Sequence, residues 1–163
     1  MCIRDRIKGL GGFHLAVDAT NAAAVAELRR RKRRFEKPLA VMVPDMRRAE
    51  ELCVVHPQDR RSLESVERPI VLMRARAERR LAEAIAPGSP ELGVFLPYTP
   101  VQHLIFAHGG FAALVMTSAN LSDEPICIDN DEATERPVSY THLCCWVRCR
   151  ATRWVQEPRL WAR

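Results

Sequence analysis

Short apolar segments alternate with helix-forming segments along most of this chain, and this alternation constrains the fold more than any other feature. Strands are predicted at 39–43, 69–73, 93–96 and 113–116. Helices are predicted at 22–34, 45–54, from 57 onward and at 99–108. The first follows the capping residues of 18–21, and the others start at Asp45, Pro57 and Thr99, residue types that favour helix N-termini. Such alternation predicts an α/β (mixed α+β) fold, in which helices pack on a sheet.

The positive charge of the chain is concentrated at its two ends. The net charge is +5 at pH 7, but residues 137–163 contain five arginines and a single glutamate, whereas residues 7–136 are neutral. A neutral body attracts polyanions weakly, so nucleic acid is not an expected partner. No apolar run reaches the roughly 18 residues of a membrane span, and residues 1–6 lack a signal peptide's apolar core, so a cytoplasmic location without membrane contact is expected.

Both ends also differ from the rest of the chain in composition. All three tryptophans and three of the six cysteines lie beyond Arg136, in a stretch with no period of 2 or 3.6. We therefore expect residues 1–6 to be a non-native segment, 7–136 a partial domain, and 137–163 an unrelated tail that is disordered or artefactual. The cysteines of the tail form C-C-x3-C, which lacks a second pair, so no metal site is expected.

A glycine-rich segment, K-G-L-G-G-F-H at 8–14, is the first of three candidate ligand-binding segments. Glycines let the backbone approach a ligand and expose N–H groups to anions. A tight turn would explain the spacing equally simply, because the segment is neither G-x-G-x-x-G nor a P-loop.

The second segment is a run of six basic residues at 29–34. A solvated helix C-terminus would account for it, since cations are favourable there. Six adjacent cations also repel one another, and a bound nucleoside triphosphate or an RNA backbone would relieve that repulsion. The pattern alone does not choose between these ligands.

The third segment, M-T-S-A-N-L-S-D-E-P at 116–125, follows the last predicted strand. Its hydroxyl and amide groups stand where open α/β sheets bind ligands, and they suit phosphate or ribose oxygens. A capped turn explains the same residue types. No H-E-x-x-H motif and no recognisable Ser/His/Asp spacing is present, so a nucleophile-based hydrolase has no support.

Five blocks of sequence together resemble one protein family. In chain order they are K-G-L-G-G-F-H-L-A-V-D-A-T-N, R-R-K-R-R-F-E-K-P-L-A-V-M-V, E-R-P-I-V-L, L-G-V-F-L-P-Y-T-P-V-Q-H-L-I and T-S-A-N-L-S-D-E-P-I. They resemble the YrdC-like domain of the [NiFe]-hydrogenase maturation carbamoyltransferases, the HypF family, over about 7–135. K-G-L-G-G-F-H and L-P-Y-T-P favour this branch over the threonylcarbamoyl-adenylate synthases of tRNA modification. Val17 and Phe35 depart from the family pattern, which has cysteine and proline there.

The resemblance implies an activity and a set of ligands. It implies ATP-dependent formation of carbamoyl-adenylate from carbamate, with ATP and Mg²⁺ as cofactors and with carbamate derived from carbamoyl phosphate. Further domains of such proteins pass the carbamoyl group to a carbamoyl-accepting maturation protein. The alternatives are a threonylcarbamoyl-adenylate synthase and, from another class, a module that binds RNA, including double-stranded RNA, through 29–34.

The resemblance also implies the residues of the site. The residues implied for catalysis are Lys8, His14, Lys32 and Arg34. The residues implied for nucleotide binding are Gly11, Gly12, Lys32, Arg34, Thr117, Ser118 and Asn120. Arg29 is expected to matter much less for the nucleotide than Lys32 or Arg34. The family's domain opens with a helix and a strand before the glycine-rich block and closes with further strands. We therefore expect a YrdC-like twisted open sheet that is incomplete at both ends, inactive alone, and able to bind ATP weakly or not at all.

The two ends should contribute little to the stability of the folded chain, because neither is expected to join the core. A chain trimmed to residues 7–136 should therefore keep the thermal transition of the full chain. Thermal denaturation of both proteins, followed by circular dichroism, checks this expectation. A loss of several kcal/mol on trimming would contradict it.

Overall fold

A computed structural model describes residues 5–34 and 36–120, together with residues 126 and 128. Within these residues, six strands form a single sheet, and four α-helices and one 3₁₀ turn connect them. In chain order the elements are β1 (Asp5–Lys8), β2 (Phe13–Asp18), α1 (Ala22–Lys32), β3 (Val41–Met42), α2 (Met46–Leu52), α3 (Pro57–Glu64), β4 (Val71–Arg74), the 3₁₀ turn (Glu83–Ile85), β5 (Glu91–Phe95), α4 (Pro100–Gly109) and β6 (Leu114–Ser118). None of the helices described is both long and apolar enough to cross a membrane.

The sheet is mixed and open, with the strand order β1-β2-β6-β3-β5-β4. Strands β3 and β5 are parallel, whereas the other pairs are antiparallel. In the register of β2 with β6, His14 lies opposite Ser118. The glycine-rich segment and the third candidate segment are therefore neighbours at one end of the sheet. The predicted fold class is confirmed.

The two faces of the sheet carry separate apolar clusters. On β6, Val115 belongs to the larger cluster, and Leu114 and Met116 belong to the smaller one, because successive side chains of a strand point to opposite faces. Helices α1, α2 and α3 pack on the larger cluster. Helix α4 packs on the smaller one through Ile105 and Phe106.

The helices begin where the sequence predicts. The side chain of Asn21 accepts a hydrogen bond from the amide of Ala24 at 3.1 Å and so caps α1. Asp45 caps α2 in the same way. Thr99 and Gln102 form a capping box at the start of α4, with Pro100 in the first turn.

Strands β1 and β2 were not predicted, and they correct the view of the N-terminal end. Asp5 and Arg6, predicted to belong to a non-native segment, pair with Ala16 and Leu15 of β2. The strand expected to be missing ahead of the glycine-rich block is therefore present as β1. The proposed tail at 137–163 lies outside the described residues.

Removing residues 1–6 should lower the stability of the fold more than removing residues 137–163. Two of the four residue pairs between β1 and β2 use residues 5 and 6. Each such pair contributes roughly 0.2–1 kcal/mol, so removing residues 1–6 should cost about 1 kcal/mol. Removing residues 137–163 alone serves as the matched comparison. Equal melting temperatures of a 1–136 protein and a 7–136 protein would show that the pairing of residues 5 and 6 adds nothing to stability.

Candidate functional site

The glycine-rich segment forms the tight turn between β1 and β2. The amide of Gly9 donates a hydrogen bond to the carbonyl of Gly12 at 2.8 Å, and Gly12 has φ of 136°. A Cβ atom at Gly9 would lie 2.8 Å from Cε1 of His14 and 3.1 Å from the hydroxyl of Tyr98. Glycine at position 9 is therefore what allows the His14 ring and the Tyr98 hydroxyl to approach the same point of the backbone.

The end of β6 is joined to the end of α1 by the Lys32 side chain. Its ammonium donates hydrogen bonds to Oγ1 of Thr117 at 3.2 Å, to the carbonyl oxygen of Ser118, and to Oδ1 of Asn120 at 3.4 Å. The Ser118 hydroxyl donates to the same Asn120 oxygen. The structure thus brings together four residues that the resemblance assigns to nucleotide binding.

Burial changes the protonation of two groups at this end of the sheet. Lys32 is 3% exposed, and its pKa is lowered to about 8, first by burial and then by the charge of Arg34. The pKa of His14 is also lowered, first by burial and then by the charge of Lys32, while the Gly12 backbone partly opposes the shift. The positive charge of Lys32 therefore acts on a half-buried imidazole whose pKa is lowered.

A cleft of about 440 Å³ crosses the sheet face on which α4 packs. The cleft extends from His14 on β2 at one of its ends to Leu72 on β4 at the other. One end is polar and is formed by His14, Tyr98, Thr117 and Ser118. The floor is apolar and includes Leu39, Ile70, Leu72, Phe95 and Met116. Arg34 and Arg68 supply the charged side chains among the described lining residues.

The six basic residues at 29–34 have different surroundings and do not form one continuous surface. Arg30 and Arg31 pair with Glu27 on the same helix. Arg34 lines the cleft, and its Nη2 donates to the carbonyl of Pro38 at 2.9 Å. Arg33 ends α1 in a left-handed conformation and is exposed. The run is thus divided between the cleft, the buried contact of Lys32 and the solvent.

Arg29 has a structural role that the sequence gave no reason to expect. It is 6% exposed, and its guanidinium donates to the carbonyls of Ala84, Ile85 and Arg34, the last at 2.7 Å. It therefore holds the backbone of the segment that places Arg34. Its substitution would disturb the fold, so Arg29 is unsuitable as a neutral control for Lys32 and Arg34.

The remaining site residues implied by the resemblance lie around this arrangement. Gly11 is exposed at the tip of the turn, and Gly12 is buried beneath it. The backbone of Lys8 pairs with Phe13, but its side chain lies outside what the structure describes. Two cleft residues were missed by the sequence analysis. Tyr98 and Arg68 stand inside the blocks L-P-Y-T-P and E-R-P-I-V-L, which were the only signal for them.

The fold and the cleft indicate the class of protein to which this chain belongs. The fold is an open mixed α/β sheet, and a concave cleft with two arginines and no acidic residue among its described lining residues is suited to an anionic small molecule. The sequence profile of the Sua5/YciO/YrdC family, which carries the description "Telomere recombination", matches residues 6–143. The chain therefore belongs to the Sua5/YciO/YrdC family, and the resemblance found in the sequence is confirmed.

Curated relatives are carbamoyltransferases of which this chain spans about a sixth. The Carbamoyltransferase HypF of Rhodobacter capsulatus is 54% identical over 131 residues, which are 80% of this chain and 17% of that protein. The Carbamoyltransferase HypF of Synechocystis sp. is 46% identical over 130 residues, with the same shares. The Probable carbamoyltransferase HypF of Methanocaldococcus jannaschii is 34% identical over 131 residues, again 80% and 17% of the two chains.

Solved structures share the fold. A full-length HypF in the phosphate- and nucleotide-bound form superposes with a TM-score of 0.76 and 51% identity, over 80% of this chain and 17% of that one. HypF of T. kodakarensis superposes with a TM-score of 0.79 and 40% identity, over 83% and 18%. P. abyssi Sua5 complexed with L-threonine, at 17% identity and a TM-score of 0.64 over 76% and 37%, is alike in fold alone.

The lowered pKa of Lys32 predicts a pH dependence of stability. The pKa of Lys32 is about 8 in the folded chain and 10.5 in its ordinary, unfolded state. Between these two pH values the unfolded chain therefore binds more protons than the folded chain. The contribution of Lys32 to the free energy of folding should become more favourable as pH rises through this window. Lys32→Met removes this titration. Unfolding free energies of both proteins at pH 7.5, 9 and 10.5 check it: the difference should shift in favour of the parent as pH rises, and a constant difference would contradict the prediction.

Proposed function

We propose that this chain binds ATP in the cleft and serves as the adenylate-forming part of a hydrogenase maturation carbamoyltransferase. In this reaction an oxygen of carbamate attacks the α-phosphate of ATP, the bond to the β-phosphate breaks, and carbamoyl-adenylate and pyrophosphate are formed. The observation that carries the proposal is the fixed Lys32 ammonium at the end of β6, beside Ser118 and Asn120.

The charges around this end of the sheet support a polyanionic ligand. Lys32 and Arg34 lie close enough for the charge of Arg34 to lower the pKa of Lys32. A bound triphosphate would offset that repulsion, and the charged form of Lys32 would be favoured again. Arg34 also has its Nη2 fixed on the Pro38 carbonyl, so little side-chain freedom is lost when a phosphate binds.

The chemistry proposed needs positioning more than acid–base catalysis. Carbamate is already a nucleophile, so the site has to hold it in line with the α-phosphate and neutralise the charge on the phosphate oxygens. Lys32 and Arg34 would supply the charge. The polar end of the cleft, with His14 and the Thr117 and Ser118 hydroxyls, would hold the oxygens of the reacting groups.

Mg²⁺ is proposed to enter with the nucleotide. Among the described residues there is no group of three or more His, Cys, Asp or Glu side chains that could hold a metal ion. Mg²⁺ is commonly bound through substrate phosphates and water, with one or two carboxylates at most, so the residues present fit a metal carried mainly by ATP. It would neutralise phosphate charge.

The acyl substrate and the protein partner are also proposed from the similarity to the carbamoyltransferases. Carbamate derived from carbamoyl phosphate would be the acyl substrate, and a carbamoyl-accepting maturation protein would receive the group through other domains. The relatives named carbamoyltransferase are about six times longer than the matched region, which leaves room for those domains in them. Inactivity and weak ATP binding of this chain alone stay predictions, so the relative ATP affinities of matched variants are the better test of the site.

Nucleotide binding should depend on two of the six basic residues. Arg34→Ala removes a charge-assisted contact from the cleft, worth about 1.5–3 kcal/mol. Lys32→Ala removes the buried positive charge behind the cleft, whose ammonium donates to Thr117, Ser118 and Asn120. We expect ATP affinity to fall about tenfold or more in each variant. Arg30→Ala is the matched control, because Arg30 is exposed and pairs with Glu27 on the outer face of α1. Isothermal titration calorimetry of ATP with the three variants gives the affinities.

Equal losses at Lys32, Arg34 and Arg30 would mean that the run acts as a diffuse charged surface, as an RNA-binding module would use it. The melting temperature of each variant separates a loss of binding from a loss of folding. Calorimetric binding of threonine to this chain in the presence of ATP would favour the threonylcarbamoyl-adenylate alternative.

A further inference from the structure

Arg68 has an unusual backbone conformation for its residue type. It lies in the connection between α3 and β4, immediately before Pro69, and has φ of 47°. Residues with side chains rarely adopt this left-handed conformation, which glycine adopts without penalty. An arginine at this position therefore suggests that its side chain has a use that compensates for the strain.

The guanidinium of Arg68 is held in place from one side. Its Nη1 donates to the carbonyl of Leu63 at 3.0 Å, near the C-terminal end of α3. Within the part of the chain that the structure describes, Leu63 is its one hydrogen-bond acceptor. A guanidinium has five N–H donors in a planar fork, so most of its donors are available to a ligand.

Arg68 lines the same cleft as Arg34, and the two side chains are anchored alike. Each donates from one terminal nitrogen to a main-chain carbonyl, Arg34 to Pro38 and Arg68 to Leu63. No acidic residue is present among the described residues that line the cleft. An anchored cation that faces a cleft without a carboxylate is suited to an oxyanion of a ligand.

Arg68 lies at the opposite end of the cleft from Lys32, so the two cations would act on different parts of a ligand. The cleft is lined from β2 to β4, which are the outer members of five adjacent strands, so it extends over about 19 Å at the usual strand spacing. Lys32 acts at the β6 end, and Arg68 precedes β4 at the other. Between them, Gly93 lets the side chain of Ile70 lie against the strand as part of the apolar floor, because a Cβ atom there would lie 3.1 Å from Cγ2 of Ile70.

We infer that Arg68 forms a second oxyanion subsite, at the β4 end of the cleft, for the end of the bound ligand that lies away from Lys32. The chemistry recognised is a phosphate or carboxylate group on an extended ligand whose middle part covers the apolar floor formed by Ile70, Leu72 and Phe95. The inference rests on the proposed function only in assigning both subsites to one ligand.

A purely structural role for Arg68 predicts a different result. A cation that donates to a carbonyl near the end of α3 stabilises the helix C-terminus, so its loss would change the stability of the chain and leave ligand affinity alone. Arg33 offers a matched control, since it is also an arginine with positive φ (50°), but it is exposed and outside the cleft lining. Changing either residue to glycine relieves the strained backbone and removes one positive charge.

The experiment compares the parent chain, Arg68→Gly and Arg33→Gly by calorimetric titration with inorganic pyrophosphate and, in a separate arm, with acetate. Arg68→Asn, which tolerates positive φ, repeats the test with a side chain present. We expect Arg68→Gly and Arg68→Asn to weaken binding about tenfold or more, and Arg33→Gly to bind as the parent does. An effect confined to pyrophosphate identifies a phosphate subsite, and one confined to acetate a carboxylate subsite.

Equal affinities of the Arg68 and Arg33 variants for both anions, with any change confined to melting temperature, would overturn the inference. So would a parent chain that binds neither anion. The proposed function has its own test: it is contradicted when ATP affinity does not respond to Lys32→Ala or Arg34→Ala. In that case the titrations with pyrophosphate and acetate still decide the role of Arg68.

Discussion

The buried ammonium of Lys32 is the contact on which the arrangement of the site depends. A charged group loses hydration on burial and is tolerated only when hydrogen bonds replace it. Here oxygens of Thr117, Ser118 and Asn120 do so, at a sequence separation of more than 80 residues. The contact therefore fixes the C-terminal end of α1 against the end of β6, and it also leaves Lys32 with a lowered pKa.

A second buried cation on the same helix supports the first. Arg29 and Lys32 are three residues apart, so they share a face of α1, and both are buried. Arg29 holds the carbonyl of Arg34, while Arg30 and Arg31 turn toward Glu27. One run of basic residues thus provides a structural clamp, a buried contact at the site and a side chain in the cleft. Helix phase gives the positions up to Lys32 different neighbours, and the chain leaves the helix at Arg33, so Arg34 reaches the cleft from outside α1.

The cleft exists because the two faces of the sheet are covered differently. Three helices pack on one face, whereas α4 covers only part of the other through Ile105 and Phe106. The uncovered part keeps Ile70 and Leu72 exposed, at 57% and 65%. Apolar area left in contact with water at a floor bordered by arginines favours an amphipathic ligand that covers the floor and presents anions at its ends.

The sequence by itself determined the fold class, the starts of the helices at Asn21, Asp45 and Thr99, and the family, because these depend on local capping, apolar periodicity and ordered blocks. It did not reveal β1, since a strand of four residues gains its stability from pairing rather than from its own residues. The alternation from Phe13 to Val17 was a signal for β2 that the prediction missed. Only the tertiary structure decided that Arg29 is buried and that Arg68 faces the cleft of Arg34. Those roles depend on carbonyls and strands that folding brings together from distant parts of the chain, and no local pattern encodes them.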